Sequence, residues 1–278
     1  MTPDPKPYIG RLAPTPNGGL HLGHARTFQT AWRRAREQDG ELILRIEDLD
    51  RQRCRPEFIE EALEELAWLG LDWDGEPVFQ SDRRKLYEEA WKRLKEDGWI
   101  FPCRRSRREL RKAAMPPPSN EQDVEPIYPL EWRPEQGVEK GFEDPGGDVT
   151  WRFRVPEGET ISFSDVRKGV VDYTAGVDFG DFSVWRRDNI PSYELSVVVD
   201  DIAMGITEVV RGEDLLRSTA RQILLYRALG ATPPAWCHEP LVRDEHGRRL
   251  AKRDHDRSLK SYWQAGLSSD EVMNRFAP

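Results

Sequence analysis

The stretch Arg11–His24 reads RLAPTPNGGLHLGH and decides how the chain folds. A short β-like run, Tyr8–Ala13, ends within it at a turn rich in proline and glycine. A helical pattern with apolar residues at three- and four-residue spacings follows over His24–Gln38. The next run, Glu41–Glu47, is again β-like. Strand, glycine-rich turn, helix and strand in this order predict one βαβ unit of a parallel sheet.

The same turn has the features of a phosphate site. A strand end, a glycine-rich turn and a helix start direct backbone N–H groups towards one place. His21 and His24 lie three residues apart at the start of the helix and face one side. Imidazole donors there can stabilise negative charge that develops on a phosphate. The alternative for the two histidines alone is a structural turn with surface histidines, and the complete ordered string favours the functional interpretation.

Outward from this unit, the patterns divide the chain into three parts. Helices are predicted over about Pro56–Leu69 and Asp82–Asp97. From about residue 99 the texture changes, with an irregular stretch at 114–147 that is rich in proline, glycine and acidic residues. Short β-like pieces follow at Thr150–Val155, Ile161–Ser164 and Asp181–Arg186. These pieces predict an inserted α+β subdomain with an antiparallel sheet.

The α/β character resumes at Ser192 with an apolar run that ends in Asp200–Asp201. A β-like segment, Gly205–Arg211, and a helix over about 214–229 follow, with one or two short helices in Ser258–Pro278. We therefore expect an α/β, Rossmann-type fold whose parallel sheet is split by the inserted subdomain. The expected domain limits are 1–98 for the first half, 99–191 for the insertion and 192–278 for the second half.

Composition excludes several classes of protein. The 278 residues include 10 Trp, 10 Phe and 7 Tyr, too many aromatic residues for a wholly disordered chain. No apolar run approaches the ~18–20 residues of a membrane helix, and the first residues lack the pattern of a signal peptide. We expect a soluble, cytoplasmic protein with no membrane partner. Three widely spaced cysteines predict neither a disulfide framework nor a CxxC zinc pair.

The charge of the chain is unevenly distributed. A net charge of −8 argues against a general nucleic-acid coat protein. Two stretches are nevertheless rich in Lys and Arg: RRSRRELRK at 104–112 and RDEHGRRLAKRDHDR at 243–257. Each is either a local footprint for nucleic acid or a solvated helix face or loop, and the sequence leaves both readings open.

Several motifs occur together in a fixed order. They are RLAPTP at 11–16, HLGH at 21–24, RIED at 45–48, SYELSVVVDD at 192–201, GIT at 205–207, VRG at 210–212 and LAKR at 250–253. HLGH resembles the HIGH signature of class I aminoacyl-tRNA synthetases, and the other segments are similar to blocks of the glutamyl/glutaminyl branch. The motifs lie within residues 8–253, so the resemblance covers most of the chain.

Length separates the members of this branch. Full glutamyl- and glutaminyl-tRNA synthetases continue into an anticodon-binding domain, whereas 25 residues follow Arg253 here. A catalytic half with no anticodon-binding domain resembles the glutamyl-queuosine tRNA(Asp) synthetase family. The resemblance implies ATP-dependent activation of glutamate and its transfer to queuosine in the anticodon loop of tRNA(Asp). It implies ATP, Mg²⁺, L-glutamate and the tRNA(Asp) anticodon stem-loop as cofactors and partners, and we expect a monomer.

The residue chemistry fits a dicarboxylic amino acid, which requires at least two cationic or multi-donor groups and one anionic group. By resemblance, Glu47 holds the α-ammonium, while Arg11 and Tyr193 contact the side-chain carboxylate with Arg211 nearby. Which carboxylate each arginine takes stays open. Without the motifs, a buried ion pair between Glu47 and Arg211 is the favoured interpretation. The remaining residues assigned to glutamate by resemblance are Ala13 and Thr15.

The ATP-binding residues are likewise assigned by resemblance. They are His21, Gly23, His24 and Lys252, and the catalytic groups among them are His21, His24 and Lys252. Ala251 stands where the family has Ser and Arg249 where it has the first Lys. A lost hydroxyl removes about one hydrogen bond, ~0.5–1.5 kcal/mol, which predicts at most a tenfold slower step.

The insertion departs from the zinc site that many members of the family carry. Cys103 and Tyr128 remain as remnants of that site, whereas Arg105 and Trp132 stand where later cysteines are expected. One thiolate and one phenol do not complete a tetrahedral zinc site. We therefore expect no structural zinc and no other bound metal in the insertion.

Two alternatives to this function stay open. The first keeps the chemistry and changes the acceptor, as a truncated glutamyl-tRNA synthetase that charges a tRNA 3′ end. The second is a non-catalytic paralogue that binds RNA or nucleotide, motivated by the altered lysine loop and the missing cysteines. An enzyme is favoured over such a paralogue because seven site residues are present together: Arg11, His21, His24, Glu47, Tyr193, Arg211 and Lys252.

Overall fold

The computed structural model describes residues 7–113, 126–242 and 258–274. The chain divides into two compact units, each formed by discontinuous segments. The first unit contains residues 1–82, 205–215 and 234–278, and the second contains 83–204 and 216–233. The domain limits expected from sequence texture, 98 and 191, stay a prediction.

Within the described residues, the first elements in chain order are β1 (Ile9–Leu12), α1 (Leu22–Arg36), β2 (Glu41–Ile46), α2 (Pro56–Trp68), β3 (Val78–Phe79), α3 (Arg84–Glu96), β4 (Ile100–Cys103) and α4 (Arg107–Ala113). They are followed by β5 (Thr150–Phe153), β6 (Thr160–Asp165), β7 (Gly169–Thr174), β8 (Ser183–Trp185) and α5 (Tyr193–Met204). The last are β9 (Glu208–Gly212), α6 (Leu216–Ala228), β10 (Ala235–Glu239), α7 (Leu259–Gln264) and α8 (Ser269–Asn274).

The first unit is built on parallel strands. β1 pairs with β2 from Ile9 opposite Glu41 onwards, β2 pairs with β3, and β9 pairs with β10, all in parallel. The Thr207 N–H, just before β9, donates a 2.9 Å hydrogen bond to the Ile9 carbonyl. β1 therefore lies between β2 and β9. The predicted α/β fold with a parallel sheet is confirmed.

The two faces of this sheet differ in character because side chains alternate along a strand. One face presents Leu12, Leu42, Leu44 and Ile46, all fully buried, to the apolar stripe of α1. Burial of each such side chain stabilises the fold by about 1.5–3 kcal/mol. The stripe of α1 consists of Leu22, Ala25, Phe28, Ala31 and Ala35. The other face carries the charged residues described below.

The second unit contains antiparallel strands and three long helices. β5 lies between β4 and β8, and β6 and β7 form a hairpin. Trp91 of α3 packs edge-on against Trp151 of β5, with ring centroids 4.9 Å apart. The predicted antiparallel character of the insertion is confirmed. In the irregular stretch 114–147, residues 126–147 include two short 3₁₀ helices, and 114–125 lie outside the described residues.

Length and hydropathy decide whether a helix can cross a membrane. None of those in 7–113, 126–242 and 258–274 is both long enough and apolar enough to do so.

Candidate active site

The two histidines of the HLGH segment begin helix α1. His21 is the N-cap residue, and its Nδ1 accepts a hydrogen bond from the Gly23 N–H at 3.1 Å. In return, His24 Nδ1 accepts one from the His21 N–H at 3.2 Å, so the pair forms a reciprocal capping box. The rings stack with centroids 3.8 Å apart. Because Nδ1 is the acceptor in both rings, the neutral tautomer carries its proton on Nε2.

Gly23 is required by the same arrangement. A Cβ at this position would lie 2.9 Å from His21 Cε1 and 3.0 Å from His21 Nδ1. Separations this short force the imidazole to move. A glycine here therefore keeps the His21 ring in its capping position.

Arg11 and Glu47 lie on the sheet face that points away from α1. Arg11, at 5% exposure, donates from Nη1 to the Val210 carbonyl at 2.8 Å, which ties β1 to β9. Glu47 directly follows β2 and receives hydrogen bonds from Arg45 at 3.2 Å and from the Thr15 hydroxyl at 3.1 Å. The Glu47 N–H also donates to the Pro14 carbonyl at 3.0 Å, so Glu47 is attached to the turn that precedes HLGH.

Burial governs the charge state of Glu47. It raises the pKa of this carboxyl above its ordinary value, while Arg45, Arg11 and the Thr15 hydroxyl act in the opposite direction. A carboxylate that is short of solvation gains from a further cation placed next to it. The site therefore favours a ligand group such as an ammonium beside Glu47.

Arg211 has a different set of neighbours on the same face. Its Nε donates to His238 Nε2 at 3.2 Å, and its guanidinium lies 4.9 Å from the centroid of the Trp236 ring. The register of β9 and β10 places His238 directly opposite Arg211. Because His238 Nε2 accepts this hydrogen bond, the imidazole is neutral with its proton on Nδ1. The pair orients the guanidinium along the sheet face.

Comparison with known proteins identifies this arrangement. Residues 9–277 match the family model of tRNA synthetases class I (E and Q), catalytic domain. The chain belongs to this family. Class I tRNA synthetases are ligase-type enzymes, so the chain is one as well.

The relatives of this class I synthetase differ in length. A glutamyl-Q tRNA(Asp) synthetase of Symbiobacterium thermophilum is 45% identical, over 96% of this chain and 85% of its own. A glutamate–tRNA ligase of Thermosynechococcus vestitus is 42% identical over 95% of this chain and 55% of its own. The crystal structure of a glutamate tRNA ligase from Elizabethkingia meningosepticum with its amino acid has a TM-score of 0.75 at 29% identity. It covers 90% of this chain and 53% of its own. The chain thus spans about half the length of these two ligases.

The first unit of this class I synthetase contains most of the residues assigned from sequence. They are Arg11, Ala13, Thr15, His21, Gly23, His24, Glu47 and Arg211. Tyr193 is the first residue of α5 in the second unit and is 38% exposed. Lys252, with the rest of its loop, lies outside the described residues.

Sequence reasoning missed two residues of the site. Glu47 pairs with Arg45, and Arg211 hydrogen-bonds His238, whereas the interpretation favoured without the motifs is an ion pair between Glu47 and Arg211. The signal for Arg45 was available, because residues two apart on a strand share a face. His238 required the register between β9 and β10, which the sequence does not give.

The remnant zinc positions of the insertion come together in space. Cys103 Sγ lies 3.4 Å from the Tyr128 hydroxyl, which donates to the Trp132 carbonyl at 3.2 Å. The Arg105 guanidinium lies over the Trp132 ring at 4.8 Å. Burial and the neighbouring thiol raise the pKa of Tyr128, which opposes the phenolate that a metal requires. These four residues do not fit zinc.

No group of three or more His, Cys, Asp or Glu that could hold a metal occurs in the part of the chain that the structure describes. The absence of structural zinc stays a prediction.

The basic stretch 104–112 leads into and through α4. Arg104, Arg108, Arg111 and Lys112 are exposed there, and Arg105 pairs with Glu109 one helical turn away. Exposed basic side chains suit both a solvated helix face and a local footprint for nucleic acid, so both interpretations of this stretch stay predictions. The second basic stretch, 243–257, lies outside the described residues.

Proposed function

We propose that this chain activates glutamate with ATP and transfers it to queuosine in the anticodon loop of tRNA(Asp). The observation that carries the proposal is a buried carboxylate, Glu47, on the same sheet face as Arg11 and Arg211 and hydrogen-bonded to the turn before HLGH. One anionic and two cationic groups match the charges of a dicarboxylic amino acid. The acceptor is proposed from the relatives of similar length that are named glutamyl-Q tRNA(Asp) synthetase.

In this proposal Glu47 binds the α-ammonium of glutamate, since burial makes its carboxylate receptive to a cation. Arg11 and Tyr193 bind the side-chain carboxylate and Arg211 lies near it. Thr15 orients Glu47 through their 3.1 Å hydrogen bond, and Ala13 lies in the same segment after β1. The roles of Tyr193 and Arg211 rest on the family resemblance.

The first step joins glutamate to AMP. An oxygen of the glutamate α-carboxylate attacks the α-phosphorus of ATP, the bond to the bridging oxygen breaks, and pyrophosphate leaves. His21 and His24 present Nε2 protons at the start of α1 and would stabilise the charge on phosphate oxygens. Gly23 keeps His21 in place, and Lys252 would neutralise the departing pyrophosphate. Mg²⁺ would arrive with the ATP phosphates, because the described residues offer it no protein cage.

The second step transfers the glutamyl group. A hydroxyl of queuosine attacks the carbonyl carbon of the adenylate and loses its proton to the departing phosphate. AMP leaves with the electrons of the broken mixed-anhydride bond. The proposal also includes a monomeric protein in the cytoplasm.

The proposal is tested by ATP–pyrophosphate exchange with glutamate, glutamine and aspartate, each with and without tRNA. Glutamate-dependent exchange without RNA is the expected result. Transfer of labelled glutamate to tRNA(Asp) that carries queuosine, and not to the same tRNA without it, then supports the acceptor. Lack of exchange under every condition would favour a binding protein without catalysis.

A second candidate follows from the 42% identity to a glutamate–tRNA ligase. It keeps the first step and places the acceptor at a tRNA 3′ end. Exchange only in the presence of tRNA, with a preference for an acceptor-stem hairpin over an anticodon hairpin, would favour this candidate.

A further inference from the structure

A buried glutamate of α2 connects the HLGH turn to the helix that follows the lysine-containing segment. Glu65 is 1% exposed. Its Oε2 accepts a hydrogen bond from the Leu20 N–H at 2.8 Å, and its Oε1 accepts one from the Lys260 N–H at 3.0 Å. Leu20 directly precedes the N-cap His21, and Lys260 lies in the first turn of α7. One carboxylate thus joins two segments that are distant in the sequence.

Other contacts follow the same path. The Leu259 N–H donates to the Leu20 carbonyl at 2.8 Å, and Ser258 forms an isolated antiparallel bridge with His21. The Lys260 ammonium lies 3.4 Å from Glu61, one turn before Glu65 on α2. The start of α1 is therefore fixed from outside as well as by its own two histidines.

We propose that Glu65 is a positioning residue for ATP, which holds the HLGH turn and the start of α7 at a fixed separation. This inference rests on the proposed function, in which His21 and His24 contact the phosphates. Glu65 itself is buried beneath the turn and acts through the Leu20 backbone. Lys260 follows Lys252 by eight residues, so the same carboxylate anchors the chain just beyond the catalytic lysine.

The two hydrogen bonds that Glu65 accepts, from the Leu20 and Lys260 N–H groups, are called the clamp below. The charge state of Glu65 decides whether both can form at once. An ionised carboxylate accepts hydrogen bonds at both oxygens, whereas a protonated one carries an O–H that cannot receive both N–H groups equally. The pKa of Glu65 is raised to about 7, chiefly by burial and also by the neighbouring Glu61, although the two backbone N–H groups and Lys260 act in the opposite direction. In the turn, the nearest titratable side chain along the chain is His21. Both N–H groups should therefore be fully accepted only as the pH rises through 7, although ionisation of the buried carboxyl itself costs free energy.

The closing experiment compares Glu65→Gln with Glu64→Gln, which makes the same change on an exposed neighbour in the same helix. The glutamine side chain keeps one oxygen that can accept a hydrogen bond. Its NH₂ group, a donor, faces the other backbone N–H, so that hydrogen bond is lost. We expect Glu65→Gln to raise the KM for ATP by about fivefold to tenfold, the effect of one lost hydrogen bond. The KM for glutamate should change less than about twofold, and Glu64→Gln should match the wild type in both.

The pH profile distinguishes positioning from a general loss of stability. In the wild type, kcat/KM for ATP should rise through an inflection near pH 7, and Glu65→Gln should lack that inflection. The free energy of unfolding should change with pH in the opposite direction to kcat/KM. Folding raises the pKa of Glu65, so the free energy of unfolding falls as the pH rises towards 7, and Glu65→Gln removes this fall. Equal changes in both KM values, or an unchanged inflection in Glu65→Gln, would overturn the proposal.

Amide hydrogen exchange tests the clamp without catalysis. The opening that exposes these amides also returns Glu65 to water and to its ordinary pKa. Corrected for the intrinsic rate, peptides that contain Leu20 and Lys260 should therefore be better protected at pH 6 than at pH 8 in the wild type. The same protection at both values would overturn the clamp even if Glu65→Gln does not fold. If the wild type shows no ATP–pyrophosphate exchange, the proposed function fails, and the exchange of these two amides still decides the contact.

Discussion

Buried charges serve different purposes in the two units. In the first unit, Arg11, Glu47 and Arg211 lie on one face of the parallel sheet, and burial leaves Glu47 with a raised pKa. In the second unit, Asp181 and Asp200 have fully buried side chains enclosed by donors from their own unit. Buried charge enclosed by its own fold mainly holds elements in place, whereas buried charge with a shifted pKa on a sheet face is suited to a ligand.

The enclosed aspartates show how complete such a network can be. Asp181 receives hydrogen bonds from two nitrogens of Arg133 and from the Val155 N–H, and its backbone carbonyl receives one from Arg152. Asp200 receives one from Arg83 at 2.7 Å and one from the Tyr87 hydroxyl, whose oxygen lies 3.1 and 3.0 Å from the two carboxylate oxygens.

The largest effect is expected at Asp181. Asp181→Ala leaves the Arg133 charge and a backbone N–H without their acceptor, and should lower the free energy of unfolding by about 3–5 kcal/mol. Unfolding in urea measures this decrease in the free energy of unfolding. Asp188→Ala is the matched control, because Asp188 forms an ion pair with Arg186 at the surface and should change stability by less than about 0.5 kcal/mol. Similar values for the two variants would remove the structural half of the comparison.

Arg11→Ala tests the ligand half. It should leave the fold intact and lower glutamate-dependent ATP–pyrophosphate exchange by about 100-fold, because a charged hydrogen-bond partner is lost from a desolvated site. The hydrogen bond from Arg11 to the Val210 carbonyl is also lost. Arg51→Ala, at an exposed position, serves as the control. Activity within a few-fold of the wild type would show that Arg11 is wrongly assigned.

Gly23→Ala should separate stability from activity within the first unit. Alanine favours the helix, but its Cβ would displace the His21 ring. We expect a melting temperature equal to or above that of the wild type and exchange slower by about tenfold, the effect of roughly 1.4 kcal/mol. Gly141→Ala, where an added Cβ meets nothing within 4 Å, should leave exchange unchanged. Unaltered exchange in Gly23→Ala would contradict the role of the ring position.

The smallest effect is expected from treatment with a metal chelator, because the second unit is predicted to hold no zinc. Because Cys103, Arg105, Tyr128 and Trp132 do not fit zinc, purified protein should contain well under one zinc per chain. Chelation with EDTA should then leave the melting temperature unchanged. Metal analysis and a thermal melt check both statements, and a stoichiometric zinc content would show that the insertion is held differently.

The sequence predicts the fold well wherever periodicity and turn residues agree. The βαβ unit, the helix that begins at Pro56 and the antiparallel insertion are found where the patterns place them. Helix α1 begins at Leu22, two residues before the predicted start at His24. The prediction missed this start because histidine is not among the usual N-cap residues. Contacts between strands were harder to predict, because they depend on strand order and register. β1 separates β2 from β9, so Glu47 meets Arg45 of its own strand before any residue of β9.

The candidate site was predictable in its residue types and less so in its partners. Arg11, Glu47 and Arg211 were identified from motifs, whereas His238 and Glu65 depend on contacts between elements far apart in the chain. Neither belongs to a motif, and a lone buried histidine or a glutamate in an amphipathic helix carries no signal of its own in a single sequence.

The histidine cap of α1 has a consequence for engineering. Aspartate is a stronger N-cap than histidine and also suits the positive end of a helix dipole. A selection for heat resistance alone would therefore reward His21→Asp. The same substitution would place a negative charge where the phosphates of ATP are proposed to bind. Selection for activity therefore favours histidine at position 21, whereas selection for thermal stability favours aspartate. With the natural histidine, α1 is less stable than it could be.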